Sequence, residues 1–177
     1  MSKSIELVLP AYALLEPYET IVRDERDGKQ LGDKLRASAT QLYRTASIAT
    51  DVPRLRDAEN LLLRAAQEAW NRFLDVRTRL LDAARLVAID GPVLREASKL
   101  TAETTLTLPD ALMLASVLAD ATGRQSPSVF LNRNTKDFGD PDVRARLKHV
   151  DCDLIGSFND GLERVRHRLA KASVIDS

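Results

Sequence analysis

Cysteine is almost absent from this chain: Cys152 is the only one among 177 residues. A single thiol excludes an internal disulfide framework and any cysteine-rich zinc site, and it fits a reducing compartment. Glycine and proline number 7 each, too few for a loop-rich, collagen-like or disordered chain when 44% of residues are hydrophobic. Net charge is also missing, with 26 basic against 26 acidic residues. No global field therefore steers the chain to a polyanion, and any such site must be local. The apolar run Leu7 to Leu15 is broken by Pro10, no signal-peptide pattern fits, and no stretch approaches the ~20 apolar residues of a membrane span. A cytoplasmic protein without a membrane partner is expected. At this length one domain with its own core is the natural prior.

The short apolar segment Ile5 to Leu9, stopped by Pro10, predicts a buried strand, and a helix follows from about Ala11 to Arg26. Helical patterning continues from Gly28 to about Ala49 and from about Arg54 to Ala88. In the second segment apolar residues fall at 55, 58, 62, 65, 69, 73, 76 and 80. Asp51-Val52-Pro53 separates the two, which predicts a helical hairpin over 28–88 with Trp70 packed at its edge. Further helices are expected after Asp90-Gly91-Pro92, after Thr107-Leu108-Pro109-Asp110, after Asp140-Pro141 and from Ser157 to about Lys171. Strands are expected at Ser128 to Leu131 and Leu154 to Gly156. Strands separated by helices predict an α/β fold with a short parallel sheet.

In an open parallel sheet, sites lie beyond the carboxyl ends of the strands. That rule selects the segment Pro10 to Glu16 and the oxygen-rich loop Asn132 to Asp140. There is no glycine-rich phosphate loop and no Cys/His metal spacing. Cys152 reads as a buried small hydrophobe, and His149 and His167 as exposed residues on charged helices. Asp140 before Pro141 reads as a helix N-cap.

The stretch Leu106-Thr107-Leu108-Pro109-Asp110-Ala111-Leu112-Met113, followed by Val129-Phe130-Leu131-Asn132-Arg133-Asn134-Thr135-Lys136-Asp137-Phe138, resembles the carboxyl half of a PIN domain. Ile5 to Glu16 is similar to that family's second strand and acid-bearing helix, and Asp151 to Asp160 to the end of bacterial PIN-like proteins with a long helical insertion. The resemblance implies one three-layer, helix-rich PIN-like α/β domain over 1–177, with 28–88 as a helical-hairpin insertion. It also implies a metal-dependent nuclease, often a ribonuclease, that gathers carboxylates around Mg²⁺ or Mn²⁺. Matched residue by residue, the metal-binding and catalytic acids are Glu16, Asp110 and Asp137. Asn134 stands beside the last, and Arg133 and Lys136 offer phosphate contacts, so RNA is the implied partner. The alternative is a catalytically inactive PIN-like module whose hairpin is a protein-interaction surface. The family's first strand, which ends in a metal-binding Asp, has no counterpart before Ile5. Three expectations follow: the sequence starts beyond that strand, or a partner or second copy supplies or covers it, or catalysis has been lost.

Overall fold

The computed structural model describes residues 5–45 and 47–175, with side chains described up to residue 170. The expectation about a strand preceding Ile5 lies outside the described residues. The chain divides into two compact units, an α/β unit formed by residues 1–12 and 84–177 and a helical unit formed by residues 13–83.

In the α/β unit, strand β1 (Val8–Pro10) pairs in parallel with β2 (Arg85–Val87), Leu9 lying opposite Leu86. Strand β3 (Ser128–Leu131) pairs in parallel with β4 (Cys152–Ile155), Phe130 opposite Leu154. Among the described residues these are two separate two-stranded sheets rather than the single short sheet expected from the sequence. Two further expectations are corrected here. The helix predicted to reach Ala88 ends at Ala83, and residues 85–87 form a strand. The first strand is Val8–Pro10 and is only half-buried, while Ile5 and Leu7, expected within it, precede it at 53% and 46% exposure. Arg85-Leu86-Val87 alone is too short for periodicity to separate strand from helix end, and its pairing with a segment 77 positions earlier decides the matter.

Helices α3 (Gly91–Glu103) and α4 (Leu108–Ala121) follow β2. After β3 come the one-turn α5 (Thr135–Phe138) and α6 (Pro141–His149), and α7 (Phe158–Ile175) follows β4. Each start obeys local chemistry. Asp90, Thr107, Asn134 and Asp140 all cap their helices with a side-chain oxygen accepting a backbone N–H, and Pro92, Pro109 and Pro141 occupy first-turn positions where a missing N–H costs least. The core is a cluster in which Ala97 and Leu100 of α3, Leu114 of α4, and Val143 and Leu147 of α6 are essentially inaccessible. Phe138 joins it, meeting Phe130 edge to face with ring centroids 5.2 Å apart. That ring anchors α5, and with it the loop that follows β3.

The ring of charge around β1 and β2 was not foreseen. Arg85 Nε is 2.6 Å from Glu6 Oε1, Arg124 lies 2.8 Å from both Glu6 Oε2 and Asp120 Oδ2, and Arg85 also bonds Asp120. Two cations and two carboxylates thus alternate, tying the strand pair to the end of α4.

The helical unit is built on α1 (Glu16–Leu42) and α2 (Val52–Ala83). Helix α1 runs unbroken through Gly28, where the sequence suggested a division. Its least exposed positions are 21, 25, 28, 32, 35, 39 and 42, a strict three-four alternation that is the seam of a two-helix coiled coil. On α2 the matching positions include 52, 55, 59, 62, 66, 69, 73, 77 and 80. This differs from the predicted stripe at 65 and 76, which are exposed: Ala66 and Arg77 take those places in the seam, and Glu59 enters it beside Ala58. Glu59 is buried against Arg36, and would-be bulk at Gly32 is exchanged for the Glu59 side chain, whose Cγ lies 3.5 Å from the position a Cβ there would take. Tyr18, Trp70 and Phe73 form an aromatic cluster across the helices, so Trp70 does pack at the hairpin edge.

Candidate functional site

Three side chains singled out in the sequence meet beyond the carboxyl end of β3. The last strand residue, Leu131, is followed by Asn132, whose N–H still bonds Ile155 of β4 at 3.1 Å. The chain then turns sharply. Asn132 Oδ1 accepts the N–H of Asn134 at 2.8 Å, and Asn134 caps α5 by accepting the Asp137 N–H on its Oδ1 at 3.4 Å. With Oδ1 committed to the backbone, the amide nitrogen of Asn134 turns outward. It donates to Asp137 Oδ2 at 2.8 Å and to Asp110 Oδ1 at 3.3 Å. The two carboxylates therefore sit on either side of one N–H₂ group, well inside the roughly 8 Å spread that a shared cation and a bridging water allow.

Asp110 is placed by a different element. Thr107 caps α4, and its hydroxyl donates to Asp110 Oδ2 at 2.6 Å while the Asp110 N–H reaches back to Thr107 Oγ1 at 3.5 Å. The one hydroxyl thus caps the helix and holds the carboxylate. Asp110, Asn134 and Asp137 are all half-buried, whereas Arg133 and Lys136 are exposed. Asp137 lies on a helical turn rather than in open loop, held there by the burial of Phe138. Glu16 is exposed at the first position of α1 and belongs to the helical unit. Among the described residues, no group of three or more His, Cys, Asp or Glu side chains is arranged to hold a metal ion.

Sequence reasoning missed Thr107 and Asn132. The first was legible as Thr-x-x-Asp ahead of an apolar helix. The second becomes visible only once the turn after β3 brings its amide oxygen onto the Asn134 N–H. Cys152 is buried, and burial pushes its thiol up to about 11, so it is inert at neutral pH as the sequence reading held. His149 and His167 are exposed on α6 and α7. No described helix is long and apolar enough to cross a membrane.

Compared with family models, with curated proteins and with solved structures, the chain matches none of them.

Proposed function

We propose that the chain is a PIN-like endoribonuclease acting with Mg²⁺ or Mn²⁺, and that Asp110 and Asp137 hold the cation. The observation that supports this reading is the convergence of Asp110 and Asp137, 27 positions apart in sequence, on the Asn134 amide. The donor chemistry fits. Hard divalent cations take oxygen ligands, and Mg²⁺ in particular is commonly held by one or two carboxylates with water and substrate phosphate completing the shell. An N–H₂ group between two carboxylates occupies the kind of position in which positive charge is stabilised.

When bound, the cation supplies charge neutralisation at the phosphoryl group and a more acidic water. The chain's own residues do the rest. Thr107 fixes the rotamer of Asp110 through its hydroxyl, Asn134 spaces the two carboxylates, and Arg133 and Lys136, exposed beside them, offer charge to the RNA phosphates. The test is RNA cleavage with Mn²⁺ added and with chelator. Asp110→Asn and Asp137→Asn should each abolish the Mn²⁺-dependent product while leaving the far-ultraviolet circular dichroism unchanged. Cleavage that persists in either purified variant removes that residue from the site.

A second reading, a catalytically inactive PIN-like interaction module, is favoured by one specific feature: both carboxylates already receive donors from the chain, Asp110 from Thr107 and Asn134 and Asp137 from Asn134. Calorimetric titration with Mn²⁺ separates the two, because only the nuclease takes up the ion at a site lost in Asp110→Asn.

A further inference from the structure

The chain has 4 phenylalanines, and three of them pack against other rings. Phe73 meets Tyr18 and Trp70, and Phe130 and Phe138 meet each other in the core. Phe158 differs: it is 63% exposed, with no ring or cation against it among the described residues. It opens α7 just beyond β4, and the parallel register carries it to the same end of the strands as Asn134 and Asp137. Leu131 lies opposite Ile155, and the ladder runs one step further, with the Asn132 N–H on the Ile155 carbonyl at 3.1 Å. Gly156 comes next. A Cβ there would collide with the Thr135 methyl group and lie 3.9 Å from the Asn132 carbonyl oxygen, so the end of β4 touches the first residue of α5. Phe158 follows that glycine by two residues. Helix α7 is seated in turn by Gly161, where a Cβ would collide with the Leu131 side chain. The ring therefore stands on a packed helix at the rim of the turn that holds Asn134 and Asp137.

The charges on that turn select the ligand. Arg133, Lys136 and Arg144 have no carboxylate within ion-pair distance among the described residues, whereas Arg146 pairs with Glu103, and Arg164 and Arg168 pair with Asp153. Arg144 is drawn onto the turn, its Nε donating to the Gly139 carbonyl at 3.1 Å. The nearby acids are already placed. Asp110 and Asp137 are held on Asn134, and Asp160 lies in the first turn of α7, where the helix end favours negative charge. An open ring face beside unpaired cations matches a nucleotide, whose phosphate takes the charge and whose base takes the face. A base inside a duplex is covered by its neighbours, so the ring suits an unpaired one. We propose that Phe158 is a substrate-stacking residue that holds one unpaired base of a single-stranded RNA beside Asp110 and Asp137, while Arg133, Lys136 and Arg144 draw the flanking phosphates. The inference rests on the nuclease reading for the chemistry of the site and adds to it a single-stranded substrate. Leu162, one turn further along α7 and 48% exposed, makes an apolar contact with a protein the competing use of this face.

The whole chain would be titrated in chelator with a fluorescein-labelled single-stranded RNA of mixed sequence, with the same RNA annealed to its complement, and with an abasic strand of equal length. Fluorescence anisotropy reads the binding. The parent should bind the single strand about tenfold or more tighter than the abasic strand, the scale of a stacked base. Phe158→Ala should lose that tenfold while its affinity for the abasic strand stays the same, and Phe158→Tyr should keep it. Phe158→Leu retains the apolar surface without the ring and should lose it as well. Equal affinity of parent and Phe158→Ala, or preference for the duplex, would overturn the proposal. Full binding by Phe158→Leu would overturn it too, and would assign the position to an apolar contact. Cleavage with added Mn²⁺ separates the inference from the reading beneath it: Phe158→Ala should raise KM by about tenfold with kcat little changed. Phe158-dependent binding without any cleavage by the parent removes the nuclease and keeps the stacking site. Cleavage indifferent to Phe158 removes the stacking site alone, and a parent that binds no RNA removes both.

Discussion

Asn134 Nδ2 lies 3.3 Å from Asp110 Oδ1, a contact that joins the turn after β3 to the first turn of α4 across 24 residues of sequence. The same nitrogen bonds Asp137, so Asn134 is a neutral bridge between two like charges. Asn134→Asp would keep the cap on α5 but replace the bridge by a third carboxylate. In chelator the variant should be less stable than the parent by about 1–3 kcal/mol, the scale of a lost donor with an unsatisfied charge beside it. Added Mn²⁺ should restore its melting temperature more than it raises that of the parent. Equal melting temperatures in chelator would mean that the bridge carries no strain between the acids.

Thr107 both starts α4 and orients Asp110. Thr107→Ala removes the cap and should cost about 0.5–2 kcal/mol, whereas Thr107→Ser, which keeps the hydroxyl, should cost much less. Urea denaturation of the two variants measures the difference.

Two glycines should respond in opposite directions to alanine. At Gly28 nothing lies in the way, and the change should stabilise the protein by about 0.5–1 kcal/mol through helix propensity and lost unfolded-state entropy. At Gly139 a Cβ would collide with the main-chain carbonyl oxygen of Thr135, which already accepts the Gly139 N–H to close α5. Gly139→Ala should therefore destabilise by about 1–3 kcal/mol and displace Asp137. Thermal melts of both variants test the sign.

The ring of Glu6, Arg85, Asp120 and Arg124 should make folding acid-sensitive. Hydrogen bonds from Arg85 and then Arg124 hold the Glu6 carboxyl below its ordinary value. Burial pushes Asp120 up, but hydrogen bonds from Arg124 and Arg85 outweigh it and hold the group below its ordinary value too. Groups lowered in the folded state contribute stability that is full above the unfolded pKa values of about 3.9 and 4.3 and is lost as pH falls through the folded ones. Stability should therefore decline below about pH 4, and Glu6→Gln/Asp120→Asn should flatten that decline while lowering stability at neutral pH. Denaturant melts between pH 7 and pH 3 give the slopes.

The sequence by itself determined the elements whose signals are local. Ser128 to Leu131 is bounded and β-rich, and it is a strand at those limits. Thr107-Leu108-Pro109-Asp110 and Asp140-Pro141 hold cap and first-turn proline together, and helices begin there. The grouping of Asp110, Asn134 and Asp137 was legible because the acids stand where α4 begins and where β3 ends, positions that a parallel strand arrangement brings near each other. What only the tertiary structure decided has a common cause, namely partners distant in sequence. Arg85–Val87 became a strand through Val8–Pro10, a segment whose three residues carry no periodicity of their own. The seam of α2 admitted Glu59 because Arg36 and the space at Gly32 receive it, a trade between two helices that no single-helix pattern encodes. Glu16 was matched to the acids by order along the chain, whereas chain folding assigned it to the helical unit, because α1 continues without a break from Glu16 to Leu42 and packs along α2.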